Sequence, residues 1–107
     1  MAFQVLEVAQ GLVRELRPVV QAVARVDKPL ADQLRRAASS VPLNIAEGNG
    51  RSGNDRLHQF RVAAGSAREV QAALRVAEGW GHVAPPATAS AHAEADRVLA
   101  MLWRLTH

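Results

Sequence analysis

Apolar residues recur along the chain at intervals of three and four, the spacing that places side chains on one face of an α-helix. Leu6, Val13 and Val20 form one stripe on the first segment, beside a longer stripe. The longer stripe consists of Val5, Ala9, Leu12, Leu16, Val19, Val23 and Val26. An apolar face of this width predicts that the first helix contacts neighbours on two sides.

Three further segments have the same periodicity, and none of the chain alternates in the manner of a strand. Their predicted inner faces are Leu30, Leu34, Ala37, Val41 and Ile45, then Phe60, Ala63, Ala67, Val70, Leu74 and Ala77, and finally Ala91, Ala95, Val98, Leu102 and Leu105. Four helices with short links predict an all-α fold, an antiparallel up-down four-helix bundle that occupies residues 1–107 as a single domain.

Polar residues and glycines indicate where these helices begin and end. Asp27 is the predicted N-cap of the second helix, and Ser52 with Asp55 has the form of a capping box before the third. Gly79 and Gly81 are predicted to end the third helix, because glycine readily adopts the left-handed conformation that closes a helix.

Four of the five prolines modify this picture. Pro18 and Pro42 are predicted to kink the first and second helices, since each removes a backbone donor and clashes with the preceding turn. The second segment is therefore either a bent helix or two short ones. Pro85 and Pro86 are predicted to lie in the connection before a fourth helix that begins at about Thr88.

Gly48, Gly50 and Gly53 have the Gly-x-Gly-x-x-Gly spacing of a dinucleotide-binding loop. Such a loop follows a β-strand, whereas the segment before Gly48 has helical periodicity. A phosphate loop of the Gly-Lys type is excluded as well, because Lys28 is the only lysine. The glycines are therefore predicted to form the turn between the second and third helices, and no cofactor is expected.

The composition excludes several classes of protein. The chain has no cysteine, so it can form neither disulfides nor thiolate metal sites. It has neither a basic leader nor an apolar run long enough to span a bilayer, so we expect a cytoplasmic protein with no membrane partner. Its 13 basic and 10 acidic residues give a formal charge of +3, which permits contact with nucleic acid without requiring it.

Two pairs of polar residues have helical spacing: Asn44 with Glu47, and Ser66 with Glu69. If the second and third helices are antiparallel, the pairs can meet and form a structural polar node. The alternative is an enzyme that uses Glu47 and Glu69 for acid–base chemistry. The node is the preferred interpretation, because carboxylate pairs in helical bundles seldom act without a metal or a cleft.

The four histidines are not paired at helical spacing, and they are predicted to be surface residues that bind no metal. The four aromatic residues Phe3, Phe60, Trp80 and Trp103 are scattered along the chain, which argues against a base-stacking platform. Trp80 and Trp103 are instead expected at subunit contacts or at the ends of the core.

Arg61, Arg68 and Arg75 recur every seven residues beside the inner face of the third helix. They are either solvated partners of carboxylates or a track for phosphates. Arg51 and Arg56 lie where the third helix begins, and they could attract an anion there. These five arginines are the candidate nucleic-acid-binding residues.

Two motifs occupy the central third of the chain. They comprise Arg36, Ala37, Ala38, Ser40, Pro42, Asn44, Ile45, Ala46, Glu47, Gly48, Gly50, Arg51, Phe60, Ala64, Gly65, Ser66 and Glu69. In these residues the chain resembles the four-helix-bundle proteins encoded in intervening sequences of bacterial 23S rRNA genes. That family is related to the accessory proteins of diversity-generating retroelements. The resemblance implies a bundle that forms a ring-shaped homopentamer and binds nucleic acid or a partner enzyme.

The leading hypothesis is a non-enzymatic homo-oligomer that binds RNA or structured nucleic acid electrostatically, as an accessory factor. The wide apolar face of the first helix favours self-association, and five copies of a +3 chain would carry about +15. A scaffold that binds only a partner protein is the alternative, followed by the enzyme that uses Glu47 and Glu69.

Overall fold

The computed structural model describes residues 3–107 as four α-helices. They are α1 (Phe3–Ala24), α2 (Lys28–Asn49), α3 (Gly53–Gly79) and α4 (Pro85–Thr106). The described residues contain no β-strand, which confirms the all-α prediction.

The helices form an antiparallel up-down bundle about 43 Å long. Residues 25–27, 50–52 and 80–84 connect consecutive helices, and links this short force each helix to reverse direction beside the previous one. α1 also packs against α4, which closes the ring of four, and the most extensive helix contact is that of α2 with α3. Helix adjacency therefore follows chain order.

The core has two layers along the bundle axis. The layer near the α2–α3 turn is built around Phe60, Ile45 and Leu102, and the layer at the other end around Leu12, Leu34 and Leu74. All the predicted inner positions of α3 are buried. Two predicted positions are wrong: Val26 is 66% exposed because it lies in the link after α1, and Leu105 is 39% exposed in the last turn of α4.

The helix ends agree only in part with the sequence-based expectations. Asp27 is the N-cap of α2, where its Oδ1 accepts a hydrogen bond from the Leu30 backbone N–H at 3.1 Å. Ser52 stands at the N-cap of α3 but its side chain makes no capping bond, so the predicted capping box is wrong.

α3 closes as predicted at its glycine-rich end. Gly81 has φ +75°, and the His82 N–H donates to the Ala77 carbonyl at 2.9 Å while the Gly81 N–H donates to the Glu78 carbonyl at 3.0 Å. This pair of bonds is the Schellman arrangement, which satisfies carbonyls that the helix itself leaves unpaired.

The prolines disturb the helices less than expected. α1 and α2 each continue through their internal proline, so α2 is one long helix rather than two short ones. The kinks at Pro18 and Pro42 stay predictions. Pro85 and Pro86 do not precede α4 but open it, because the first helical turn needs no N–H from these positions.

The turn between α2 and α3 contains the glycine motif, and its first glycine has a packing role. A Cβ atom on Gly48 would lie 2.6 Å from Cε1 and 2.7 Å from Cδ1 of Phe60, distances that no side chain tolerates. The Phe60 ring is buried in the core layer beside this turn. Gly48 therefore lets the backbone of α2 approach the largest core side chain, and a phosphate ligand is not needed to explain it.

We expect Gly48→Ala to lower the free energy of unfolding by about 1 to 3 kcal/mol, because the displaced Phe60 ring costs more than the gain in helix propensity. Gly50→Ala is the matched control. A Cβ on Gly50 would meet only the Glu47 carbonyl, at 3.6 Å, and we expect a change within about 0.5 kcal/mol. Urea unfolding measures both variants. Equal stability of Gly48→Ala and the wild type would contradict the packing role.

Candidate nucleic-acid interface

The arginine stripe consists of Arg61, Arg68 and Arg75, and all three are exposed on α3. Each follows a buried residue of the inner face, which places the stripe along the edge of the helix rather than under a neighbour. Fourteen residues of helix separate the first arginine from the last, so the stripe is about 21 Å long. It covers about half the length of the bundle.

The three arginines of the stripe differ in their ion pairing. Arg75 Nη1 lies 3.5 Å from Glu78 Oε1. Between residues 3 and 107, no carboxylate comes within 4.0 Å of Arg61 or Arg68. Asp96 of α4 also faces α3, but its Oδ1 accepts from Gln71 Nε2 at 2.7 Å. Two cations of the stripe are therefore unneutralised within the described chain.

Arg61 and Arg68 border a groove of about 310 Å³ between α3 and α4, here called the α3–α4 groove. Trp103 and His107 line its other side, with their rings stacked at a centroid distance of 4.5 Å and an interplanar angle of 11°. Trp103 is 59% exposed, so it does not cap the core as one expectation had it. The fold therefore places Trp103 beside the arginine stripe, although the aromatic residues are scattered along the sequence.

The sequence contains a pattern that is consistent with Arg61 and Trp103 bordering one groove. Arg61 follows the buried Phe60, and Trp103 follows the buried Leu102. A residue next to a core position lies at the edge of its helix, and α3 and α4 are adjacent, so the two edges can border one groove. The sequence does not show which edge of α3 faces α4 or which edge of α4 faces α3, so the groove could not be predicted from it.

Arg51 and Arg56 have contacts within the α2–α3 turn. Arg51 donates to Glu47 Oε1 through Nε at 2.9 Å and Nη2 at 2.6 Å, and this hydrogen bond raises the pKa of Arg51 above its usual value. Arg56 Nε donates to the carbonyls of Gly48, at 3.2 Å, and Arg51, at 2.8 Å. The Arg56 bonds satisfy backbone acceptors at and just after the end of α2, and Arg51 pairs with a carboxylate one turn away, so both side chains have partners within the fold.

The predicted polar node contains two of its four expected members. Ser66 Oγ on α3 donates to Ser40 Oγ on α2 at 2.8 Å, and Asn44 Nδ2 donates to the same oxygen at 2.8 Å. Ser40 was not predicted to take part, yet it joins the two helices. The other expected members, Glu47 and Glu69, are exposed and lie outside the node.

The register of the α2–α3 contact explains this correction. Ser40 lies opposite Ser66, so Glu69 lies three residues beyond on α3, at the level of Ala37, and Glu47 is ten residues further along α2. Ten helical residues correspond to about 15 Å along the axis. The two carboxylates therefore do not form a site together.

The prediction that the histidines are surface residues is wrong for two of them. His82 Nε2 lies 3.0 Å from Asp27 Oδ2, and His92 Nε2 lies 2.9 Å from Glu78 Oε2. Only 19% of the His82 side chain and 14% of the His92 side chain are exposed. The bonds join the α1–α2 link to the α3–α4 link, and α3 to α4. No cluster of three metal-ligating side chains occurs in the described part of the chain.

The opposite side of the bundle has a different character. Two adjoining grooves, of about 310 and 550 Å³, lie between α1 and α2 and share Val13, Arg14 and Ser39. We call them together the α1–α2 groove. Leu43 stands 67% exposed at its edge, and Val13 is 37% exposed within it. This surface is largely apolar and is not covered by any described residue.

Comparison with protein families assigns the whole bundle. The profile of the family described as 23S rRNA-intervening sequence protein matches residues 2–104. The chain belongs to this family. The match extends the resemblance found in the central motifs to the first and fourth helices.

A solved structure has the same fold. It is the 1.70 Å crystal structure of a protein of unknown function from the S23 ribosomal protein family of Bacteroides thetaiotaomicron. The two share 15% sequence identity and superpose with a TM-score of 0.88, over 95% of this chain and 97% of that chain. The likeness confirms the four-helix architecture. A comparison with curated proteins finds no match. None of the helices in residues 3–107 has the length and apolar composition that a membrane span requires.

The hydrogen bond from His92 holds the pKa of Glu78 below its usual value, against the opposing effect of burial, and Thr88 Oγ1 adds a second bond at 3.0 Å. A carboxyl whose pKa is lower in the folded chain stabilises the fold above its unfolded pKa. That stabilisation disappears as the pH falls through the folded pKa.

We therefore expect Glu78→Gln to lower the free energy of unfolding by about 1 kcal/mol at neutral pH. We also expect the variant to lose less stability than the wild type between about pH 5 and pH 3. Urea unfolding across that range measures both effects. Glu15→Gln, an exposed change on α1, is the control. A Glu78→Gln variant that keeps the full acid sensitivity of the wild type would contradict this role of Glu78.

Proposed function

We propose that the chain is a non-enzymatic, homo-oligomeric helical bundle that binds RNA or other nucleic acid electrostatically, as an accessory factor. The observation that carries the proposal is the pair Arg61 and Arg68, exposed seven residues apart on α3 with no carboxylate partner in the described residues. Unpaired guanidinium groups on one edge of a helix suit the regularly spaced charges of a phosphate backbone.

The other candidate arginines contribute less to this proposal. Arg75 and Arg51 each have a carboxylate partner, and Arg56 is engaged by backbone carbonyls. A phosphate would have to compete with those contacts. We assign the main phosphate contacts to Arg61 and Arg68, with Arg75 as the extension of the stripe.

A non-enzymatic role is supported by the separation of Glu47 from Glu69. The carboxylates that could share acid–base chemistry lie about 15 Å apart along the bundle axis. The accessory role follows from the relation that we propose between this family and the accessory proteins of diversity-generating retroelements. We also propose that the protein is cytoplasmic.

Self-association is supported by the α1–α2 groove. Exposed Leu43 and the half-buried Leu6 lie on a surface that no described residue covers, and apolar patches of this kind mark contact sites. A ring such as the proposed homopentamer needs two different patches that meet head to tail. We propose that the α1–α2 groove is one of them. A partner protein seated in this groove is the alternative function that the same observation favours.

We expect Arg61→Gln combined with Arg68→Gln to weaken binding to a mixed RNA at low salt. The slope of log affinity against log salt should become shallower by roughly 1 to 2, because phosphate contacts are lost. Fluorescence anisotropy across a salt series measures this. Absence of binding by the wild-type protein at low salt would refute nucleic-acid binding.

The matched control is Arg51→Gln combined with Arg75→Gln, which removes the same charge from arginines that have carboxylate partners. We expect a smaller loss of affinity. Equal losses in the two double variants would show that overall charge, and not the position of Arg61 and Arg68, determines binding.

We expect light scattering to give a mass of several chains for the wild type and a lower mass for Leu43→Glu, since a buried charge opposes an apolar contact. Val26→Glu is the matched control, because Val26 is 66% exposed and Leu43 67%, but Val26 lies in the α1–α2 link. A wild-type mass of one chain would refute self-association, and an unchanged Leu43→Glu mass would exclude the α1–α2 groove as the contact.

A further inference from the structure

We infer that the α3–α4 groove binds unpaired nucleotides, with a base stacked against Trp103 and the adjoining phosphates on Arg61 and Arg68. The inference rests on the proposed function and narrows its ligand from nucleic acid in general to unpaired segments. It also replaces the expectation that binding involves no base stacking.

Trp103 offers an accessible aromatic plane in the α3–α4 groove. Trp103 stacks with His107 at 4.5 Å and is still 59% exposed. Indole is the largest flat apolar surface that a side chain offers, and exposing it to water is unfavourable. A second planar ring can cover this surface without moving any part of the core.

Local hydrogen bonds hold the stacked rings of Trp103 and His107 in place. His107 Nδ1 lies 3.0 Å from the Trp103 carbonyl and 3.1 Å from Thr106 Oγ1. Thr106 Oγ1, in turn, donates to the Leu102 carbonyl at 2.9 Å. Because these local bonds fix the imidazole against the indole, little side-chain freedom remains to be lost when a ligand stacks.

Two guanidinium groups lie beside the rings. Arg61 and Arg68 line the same groove as Trp103, and neither is paired with a carboxylate between residues 3 and 107. A purely apolar ligand would leave both guanidinium groups without a partner, and a free phosphate would leave the indole uncovered. A nucleotide has both the anion and the flat ring, so it matches the groove in both respects.

Stacking on Trp103 requires a base that is not paired in a duplex. Bases inside a duplex are stacked on one another and their faces are not available to a side chain, whereas loops, bulges and ends can present them. A groove that uses stacking therefore selects unpaired segments. Since every base has such a face, the selection is for strand state and not for sequence.

The test uses the full chain with Trp80→Phe, which leaves Trp103 as the only tryptophan. The probes are a short oligothymidine and the same phosphodiester chain with abasic residues. We expect the oligothymidine to quench Trp103 fluorescence and to bind on the order of tenfold more tightly than the abasic chain. With affinities measured by the anisotropy of labelled probes, Trp103→Leu should remove this preference, while Trp103→Phe should retain part of it.

Each of the other outcomes would contradict a specific claim of the inference. Equal affinities with no quenching would overturn base stacking and leave electrostatic binding intact. No binding of either probe at low salt would overturn the inference, while the anisotropy measurement with mixed RNA decides the proposed function separately. A lower oligomer mass for Trp103→Leu by light scattering would show that a second copy of the chain occupies the groove instead.

Discussion

The packing of α2 against α3 determines where the candidate residues of these two helices lie relative to one another. It depends on small side chains at the contact, on Gly48 beside the Phe60 ring, and on the bond between Ser40 and Ser66. Helices pack closely only where side chains at the contact are small, and a polar bond across such a contact has a defined partner, so it fixes register. With the register fixed, Glu47 and Glu69 are separated along the bundle axis.

The same constraint divides the arginines into two groups. Arg51 and Arg56 lie where α2 ends, and unpaired carbonyls and a carboxylate one turn away attract them. Arg61 and Arg68 lie further along α3, and no carboxylate of residues 3–107 comes within 4.0 Å of either side chain. An exposed ion pair contributes little to stability, so their lack of partners costs the fold almost nothing. The position of Arg61 and Arg68 therefore suits the binding of an external anion better than the stabilisation of the fold.

Sequence periodicity was sufficient for the fold and insufficient for the site. The inner face of α3 is buried as predicted, because a heptad of apolar residues admits one orientation toward a core. The polar node was half right, since helical spacing shows that Asn44 and Glu47 share a face but does not give the register that puts Ser66 opposite Ser40. The hydrogen bonds of His82 and His92 join residues 55 and 14 positions apart, and no local pattern indicates them.

Pairing of helices in chain order has a last consequence for assembly. Because α1 contacts α2 and α4 while α3 contacts α2 and α4, the α1–α2 and α3–α4 grooves lie on opposite sides of the bundle. Copies that meet through the α1–α2 groove and through a second surface other than the α3–α4 groove would therefore leave the side with Arg61, Arg68 and Trp103 free. Like charges on adjacent copies repel, but a polyanion that crosses several copies neutralises them together and releases its counterions. The weak contact available to one short groove then becomes a multivalent one, since each further groove binds a strand already held nearby.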